Sequence, residues 1–178
     1  MVPDSRSAAP SPLLPFAYAA LKILVIVNWA GGVAISALLI VIPNEQWIMA
    51  AFKLSPSPDA ERLIMGLRAI AVLGLAVIPL NYVFLRRLIA IVDTVRAGDP
   101  FVATNAQHLR VMAWVLFTLQ LLSMVIGAIG KLISTPAHPV HLSAGFSING
   151  WLAVLLTFVL ARVFAEGTLM RDDLEGTV

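Results

Sequence analysis

Four long apolar stretches alternate with short polar segments along the chain. They run from Ile23 to Ile42, from Leu63 to Leu85, from Val111 to Gly130 and from Leu142 to Ala161. Each supplies about the 20 apolar residues that a helix needs to cross the roughly 30 Å hydrocarbon core of a bilayer. None alternates apolar and polar residues with the period of two that membrane barrels require. The pattern predicts an all-α, polytopic membrane protein with four transmembrane helices in an antiparallel bundle.

The predicted spans divide the chain into three regions. A membrane domain at 16–166 contains spans at about 21–42, 63–85, 109–131 and 144–164, and residues 167–178 form a cytoplasmic C-terminal tail. Residues 1–15 are rich in Pro and Ser, which favours a disordered N-terminal tail. The first apolar run exceeds the roughly 7–15 residues of a signal peptide and no small-residue cleavage site follows it. We therefore expect an uncleaved anchor.

The segment after Leu85 predicts that the second helix continues beyond the membrane. Its apolar residues recur at helical spacing, and its charged residues take the other face. The apolar ones are Leu88, Ile89, Val92 and Val95, and the charged ones are Arg86, Arg87, Asp93 and Arg96. We expect about three further turns, so that helices 2 and 3 both extend into the cytoplasm.

The stretch from Gly98 to Thr104 predicts a tight reversal between these two helices. Gly98 suits the left-handed position that follows a helix, and Pro100 disfavours helical geometry at Asp99. Thr104, followed three residues later by Gln107, has the form of a capping box that starts the third helix. Together these residues predict a cytoplasmic helical hairpin.

The apolar residues of this hairpin need a packing partner. We expect Phe101 to lie between the two protruding helix ends. The C-terminal segment also leaves the membrane amphipathically and offers a second cover, through Phe164, Leu169, Met170 and Leu174. In that arrangement Asp172, Asp173 and Glu175 face water or the pair Arg86 and Arg87. If the hairpin is not covered in this way, its surface is available to a protein partner.

Composition and charge placement agree with a membrane protein and orient it. The chain is 60% hydrophobic and 12% charged, with a mean hydropathy of +0.91 and no cysteine, which excludes thiolate metal sites and disulfides. A net charge of +2 is too small to indicate nucleic-acid binding. Cytoplasmic loops carry the excess of Lys and Arg. One side carries Arg6, Lys22, Arg86, Arg87, Arg96, Arg110, Arg162 and Arg171, and the other carries Lys53, Arg62, Arg68 and Lys131. Both termini are therefore predicted to be cytoplasmic.

The outer loops and the spans contain few candidates for chemistry. His138 and His141 lie in the second outer loop, and a His-x-x-His pair is a weak metal candidate because a site needs three or four ligands. Four uncharged polar residues within the spans more often make interhelical hydrogen bonds than line a passage. They are Asn28, Asn81, Gln120 and Asn149. No catalytic set is recognisable. We expect no enzyme activity and no cofactor.

Small residues in the spans allow close helix packing. These are Gly31, Gly32, Gly74, and the pair Ser123 and Gly127. Such residues let two backbones approach each other, either within a bundle or between two copies of a chain. The sequence leaves a homodimer open.

Several motifs together resemble the bacterial membrane family named domain of unknown function 2975. They are "AGDPF" followed by "N" and "LR", "FSINGW" at the start of helix 4, and the ending "VFAEGTLMRDDLEGTV". The matching positions are Gly98, Asp99, Pro100, Phe101, Asn105, Leu109, Arg110, Phe164, Gly167 and Leu169. The family implies a protein of the bacterial inner membrane with no assigned catalytic residue. Its members are often encoded beside small Cro-like helix-turn-helix regulators, which suggests a membrane protein that binds such a regulator.

The hypothesis from the sequence is a non-enzymatic membrane regulator that binds a cytoplasmic protein and no nucleic acid directly. The candidate partner-binding residues are Arg86, Arg87, Arg96, Asp99, Pro100, Phe101, Asn105 and Arg110. Two alternatives stay open. One is a transporter or channel component for a small uncharged solute, and the other is a scaffold subunit of a larger membrane complex.

The predicted orientation can be tested with single cysteines, because the chain has none of its own. Ala97→Cys lies in the hairpin and Ala137→Cys lies in the second outer loop. A membrane-impermeant maleimide should label only Ala137→Cys in intact cells and both variants in lysed cells. Labelling of Ala97→Cys in intact cells would contradict the orientation.

Overall fold

The chain forms four long helices in a computed structural model that describes residues 13–41, 49–50, 58–136, 139–140 and 142–175. They are α1 (Leu13–Val41), α2 (Pro58–Arg96), α3 (Ala103–Ile133) and α4 (Ile148–Glu175). All four are long and apolar enough to cross a membrane. The predicted all-helical class and the four candidate spans are confirmed.

The second helix is much longer than a bilayer requires. Its 39 residues correspond to about 58 Å at 1.5 Å per residue, against a hydrocarbon core of roughly 30 Å. The helix runs without a break through the segment after Leu85, as its amphipathic pattern predicts. The helices also extend beyond two predicted limits: residues 13–15 belong to α1, and α4 continues from the predicted span to Glu175.

The fourth helix begins later than its apolar sequence predicts. It starts at Ile148, where the Oγ of Ser147 accepts a hydrogen bond from the amide of Gly150 at 3.2 Å. The preceding apolar residues are irregular and lie against α3, so close that a Cβ on Gly127 would be 2.5 Å from the carbonyl oxygen of Ala144. Gly145 here has a φ of 139°, which favours glycine. The apolar stretch that begins at Leu142 therefore did not predict where the first turn of α4 lies, because apolar character alone does not mark a helix start.

The helices pack in the order of the chain. Within the described ranges, extensive contact joins α1 to α2, α2 to α3, and α3 to α4. Residues buried inside the protein are most frequent in the apolar part of α3, and none occurs in the most apolar part of α1. Accordingly α3 lies at the centre of the packing and α1 at its edge.

Small and polar residues hold α1 against α2. A Cβ on Gly32 would lie 3.2 Å from the side chain of Ile78, and one on Gly74 would lie 3.6 Å from Ile35. Asn28 donates its Nδ2 hydrogen to the carbonyl oxygen of Ile78 at 3.0 Å. The expected interhelical role of Asn28 is confirmed, and the two glycines serve packing within one chain.

One predicted start signal is wrong. The capping box at Thr104 is not formed, because α3 begins at Ala103 with Val102 as its N-cap and without a capping side chain. The neighbouring asparagine has a different use, described below. The outer-loop histidines His138 and His141 lie outside the described residues.

Gly127 offers a test of how tightly α3 meets the segment before α4. Gly127→Ala should lower the free energy of unfolding by about 1–3 kcal/mol, because the new methyl group overlaps backbone atoms that cannot rotate away. For a chain of this size that corresponds to a melting temperature about 3–10 °C lower, measured on the detergent-solubilised protein. Gly31→Ala is the control, since a Cβ there meets nothing within 4 Å. Equal melting temperatures for the two variants would contradict this packing.

Candidate functional site at the hairpin

The reversal after α2 is a Schellman turn built around Gly98. The amide of Asp99 donates to the carbonyl oxygen of Thr94 at 3.1 Å, and the amide of Gly98 donates to that of Val95 at 3.1 Å. Gly98 has a φ of 84°, a value that costs a side-chain-bearing residue free energy. The predicted left-handed glycine is confirmed, and it directs the chain back along α2.

Asn105 holds the turn together from inside. Its side chain is fully buried and its Nδ2 donates to the Oγ1 of Thr94 at 2.6 Å and to the carbonyl oxygen of Pro100 at 2.8 Å. The hydroxyl of Thr94 itself donates to the carbonyl oxygen of Ile91 at 2.7 Å. Both partners of Asn105 therefore act as acceptors, which fixes the orientation of its amide. The side chain ties the end of α2, the turn and the start of α3 into one unit.

Phe101 packs against α4. Its ring stacks on that of Phe164, with centroids 5.3 Å apart and planes 28° apart. A Cβ on Gly167 would lie 3.5 Å from the Phe101 ring, so the small residue makes room for it. The expectation that Phe101 lies between the ends of α2 and α3 is wrong, because its ring stacks on Phe164 of α4 instead.

The C-terminal half of α4 covers the hairpin only in part. Arg171 donates from Nη1 to Oδ1 of Asp99, a salt bridge between residues 72 positions apart. Together with the Phe101–Phe164 stack, this pair fixes α4 to the turn. Leu169 and Met170, which were also expected to cover the hairpin, are each 63% exposed. The side chains of residues 172–175 lie outside the described part of the chain.

The candidate partner-binding residues thus separate into two groups. Asp99 and Phe101 contact α4, and Pro100 and Asn105 bond each other within the hairpin. The side chains of the four arginines are exposed: Arg86, Arg87, Arg96 and Arg110. A partner would therefore meet the arginines first, on a turn that the other residues make rigid.

Aromatic and polar neighbours position two of these arginines. Arg86 donates to the hydroxyl of Tyr82 at 3.3 Å. The guanidinium of Arg96 lies 4.9 Å from the centre of the Tyr18 ring and 3.8 Å from the carboxylate of Asp93. Such contacts restrict a long side chain without removing its charge.

Arg87 links α2 to His108 at the start of α3. Its Nη1 lies 3.3 Å from Nδ1 of His108. Because a guanidinium only donates, Nδ1 accepts and the proton of the neutral ring is on Nε2. His108 precedes the predicted third span, and burial, followed by the charge of Arg87, lowers its pKa below 6.5. Both effects keep the ring neutral at pH 7, so the positive charge here belongs to Arg87.

The described residues do not assemble a metal centre. Among them there is no group of three or more His, Cys, Asp or Glu side chains that could hold an ion. The weak metal candidate formed by His138 and His141 lies outside this part of the chain and stays a prediction.

The four candidate spans are those of a multi-pass membrane protein. No protein-family model, no curated protein and no solved structure matches the chain. The resemblance to domain of unknown function 2975 therefore stays a prediction. Most of the positions that carry it meet in one place, since Gly98, Asp99, Pro100, Phe101 and Asn105 contact one another, and Phe164 and Gly167 pack on them.

Several residues of the site have no local signal in the sequence. Thr94 and His108 look like ordinary helix residues, and each acquires its role through a partner on the adjacent helix. Arg171 likewise looks like an ordinary helix residue, and its partner Asp99 lies 72 positions away along the chain. The sequence offered one signal. Asn105 directly follows the predicted reversal from Gly98 to Thr104, and an asparagine at the edge of a turn commonly bonds the backbone of that turn.

Asn105 can be tested against a second asparagine. Asn105→Ala should lower the free energy of unfolding by about 2–3 kcal/mol, since it removes two buried hydrogen bonds. We expect a melting temperature about 5–10 °C lower in detergent. Asn149→Ala, at an exposed asparagine, should change it little. If both variants melt together with the unsubstituted protein, Asn105 does not hold the turn.

Proposed function

We propose that this chain is a non-enzymatic regulator embedded in the bacterial inner membrane, with both termini in the cytoplasm. It binds a cytoplasmic protein through the exposed arginines of the hairpin. The observation that carries the proposal is that residues 86–110 contain two sets of side chains. Asn105 and the contacts with α4 hold the turn, and Arg86, Arg87, Arg96 and Arg110 are exposed.

A rigid turn favours binding because less conformational entropy is lost when a partner docks. The backbone bonds around Gly98, the buried amide of Asn105 and the stacking of Phe101 on Phe164 all act before any partner arrives. The length of α2 supports the same view, because about half of its 58 Å lies beyond what the hydrocarbon core needs.

Charge indicates which part of a partner would dock. Asp93 and Asp99 are each paired with an arginine, Arg96 and Arg171 respectively. Arg86, Arg87 and Arg110 have no acidic partner within 4 Å among the described residues. The hairpin therefore favours an acidic surface. In a small helix-turn-helix regulator the face that binds DNA is basic, because it must neutralise phosphates, so the hairpin would bind a different, acidic face of such a protein.

Two of the residues that could line a passage in a transporter, Asn28 and Gln120, bond backbone carbonyls instead. Asn28 bonds the carbonyl oxygen of Ile78, and Gln120, which is 8% exposed, has its Nε2 3.5 Å from that of Gly145. Side-chain amides that bond the backbone in this way support helix packing. The regulator remains the function that the arrangement supports best.

Capture of a regulator encoded beside this chain tests the proposal. The full-length protein in detergent should retain the regulator at low salt and release it as salt rises, because exposed charges are screened beyond about 10 Å at 0.1 M. Changing Arg86, Arg87, Arg96 and Arg110 together to Gln should weaken capture at least tenfold.

The control changes Arg62 and Lys131 to Gln, two basic residues at the opposite ends of α2 and α3. This variant should capture the regulator as the unsubstituted protein does. Unchanged capture by the four-arginine variant would remove the hairpin from the proposal.

A further inference from the structure

A groove runs along one side of the contact between α1 and α2, and its basic end combines cations with aromatic rings. The lining of this end includes Tyr18 and Lys22 from α1 and Tyr82, Arg86 and Asp93 from α2. Apolar side chains form the rest of the wall: Val25, Ile26, Ile89 and Ala90. The groove is thus polar at its mouth and apolar within.

The cations at the mouth are held in place but not neutralised. The amino group of Lys22 lies 4.6 Å from the centre of the Tyr18 ring, and Arg86 is held by Tyr82. Among the described residues, neither Lys22 nor Arg86 has a carboxylate within 4 Å. Asp93, the one acidic residue in the lining, is paired with Arg96. The mouth therefore keeps an excess of positive charge.

A second, apolar part of the groove continues along the same helices. It is lined by Trp29, Gly32, Val33, Ser36, Ala37, Ile40, Leu75, Ile78 and Pro79. Ile26 and Val33 are seven residues apart on α1, as Pro79 and Arg86 are on α2, so both parts open on the same side. From Trp29 to Ile40 this part spans about 16 Å.

The one hydroxyl in the apolar part is already satisfied. Ser36 donates its Oγ hydrogen to the carbonyl oxygen of Gly32 at 2.8 Å. Trp29 and Tyr82 meet edge to face, with ring centres 5.6 Å apart, where the two parts join. Tyr and Trp are enriched at the level of lipid headgroups. The groove thus changes from charged to apolar across an aromatic pair.

We propose that this groove binds one anionic phospholipid, with its phosphodiester between Lys22 and Arg86 and an acyl chain along the apolar part. A guanidinium can bond two phosphate oxygens at once, and an ammonium adds a compact positive charge. Basic pockets between transmembrane helices bind anionic headgroups by the same chemistry. The lipid would cover apolar surface that α1 leaves exposed, including Ile26 and Val33. The proposal does not rest on the binding of a protein partner.

Native mass spectrometry of the full-length protein in detergent tests the site, with phosphatidylglycerol and phosphatidylcholine of the same acyl chains as probes. The unsubstituted protein should retain the anionic lipid at least fivefold better. Lys22→Gln and Arg86→Gln should each weaken its retention about fivefold. Circular dichroism checks that both variants keep their helices.

Arg162→Gln is the matched control, with the same loss of charge at the same end of the molecule. Arg162 is exposed and paired with Glu166 at 2.7 Å, on a helix that does not line the groove. Retention in this variant should stay within twofold of the unsubstituted protein. An equal loss of phosphatidylglycerol retention in all three variants would show that general surface charge, and not the groove, retains the lipid, and would overturn the proposal. Equal retention of phosphatidylglycerol and phosphatidylcholine by the unsubstituted protein would overturn it as well.

Soluble glycerophosphate distinguishes a lipid from a free phosphate. At millimolar concentration it should leave phosphatidylglycerol bound, because it lacks the acyl chain that fills the apolar part. Complete displacement would show that the mouth alone binds phosphate, and the assignment to a lipid would fall.

Discussion

Within an apolar solvent, every backbone amide and carbonyl must find its partner inside the protein. This constraint explains why four separate apolar stretches become uninterrupted helices with little contribution from capping side chains. The reversals use internal partners as well. After α2, the carbonyl oxygens of Asp93, Thr94 and Val95 accept from backbone amides of the turn, and Asn105 donates to the carbonyl oxygen of Pro100. Before α4, the Ser123 hydroxyl and Gly145 bond each other at 3.1 Å. Both reversals thus pair backbone groups with donors or acceptors inside the protein.

The elements that could be predicted from sequence are those fixed by local physics. Helix existence follows from apolar length, and Gly98 follows from the steric cost of a positive φ. The starts of α3 and α4 were misjudged because tertiary contacts decide them. Before α3, Asn105 bonds the carbonyl oxygen of Pro100, where Thr104 was expected to cap the helix. Before α4, the apolar residues that precede Ile148 are irregular and pack against Gly127.

Tertiary contacts, which the sequence does not reveal, decide even more of the candidate site than of the helix starts. The exposed arginines were identified from their charge and spacing, whereas the residues that hold the turn rigid depend on contacts between separate elements. The Asp99–Arg171 pair joins positions 72 residues apart, and neither residue differs locally from many other surface charges. The sequence therefore predicted which charged side chains are exposed better than it predicted which contacts position them.

The packing of each helix mainly on its neighbours in the chain has a consequence for biogenesis. Once α2 has been synthesised it can pack on α1. Each later helix, α3 and then α4, can pack on the helix before it without disturbing the contacts already made. α4 then adds its contacts with the hairpin, from Phe164 to Phe101 and from Arg171 to Asp99. The hairpin consequently reaches its finished form only after α4 has been synthesised, so that a chain lacking α4 would insert its first helices but leave this end without the Phe164 and Arg171 contacts.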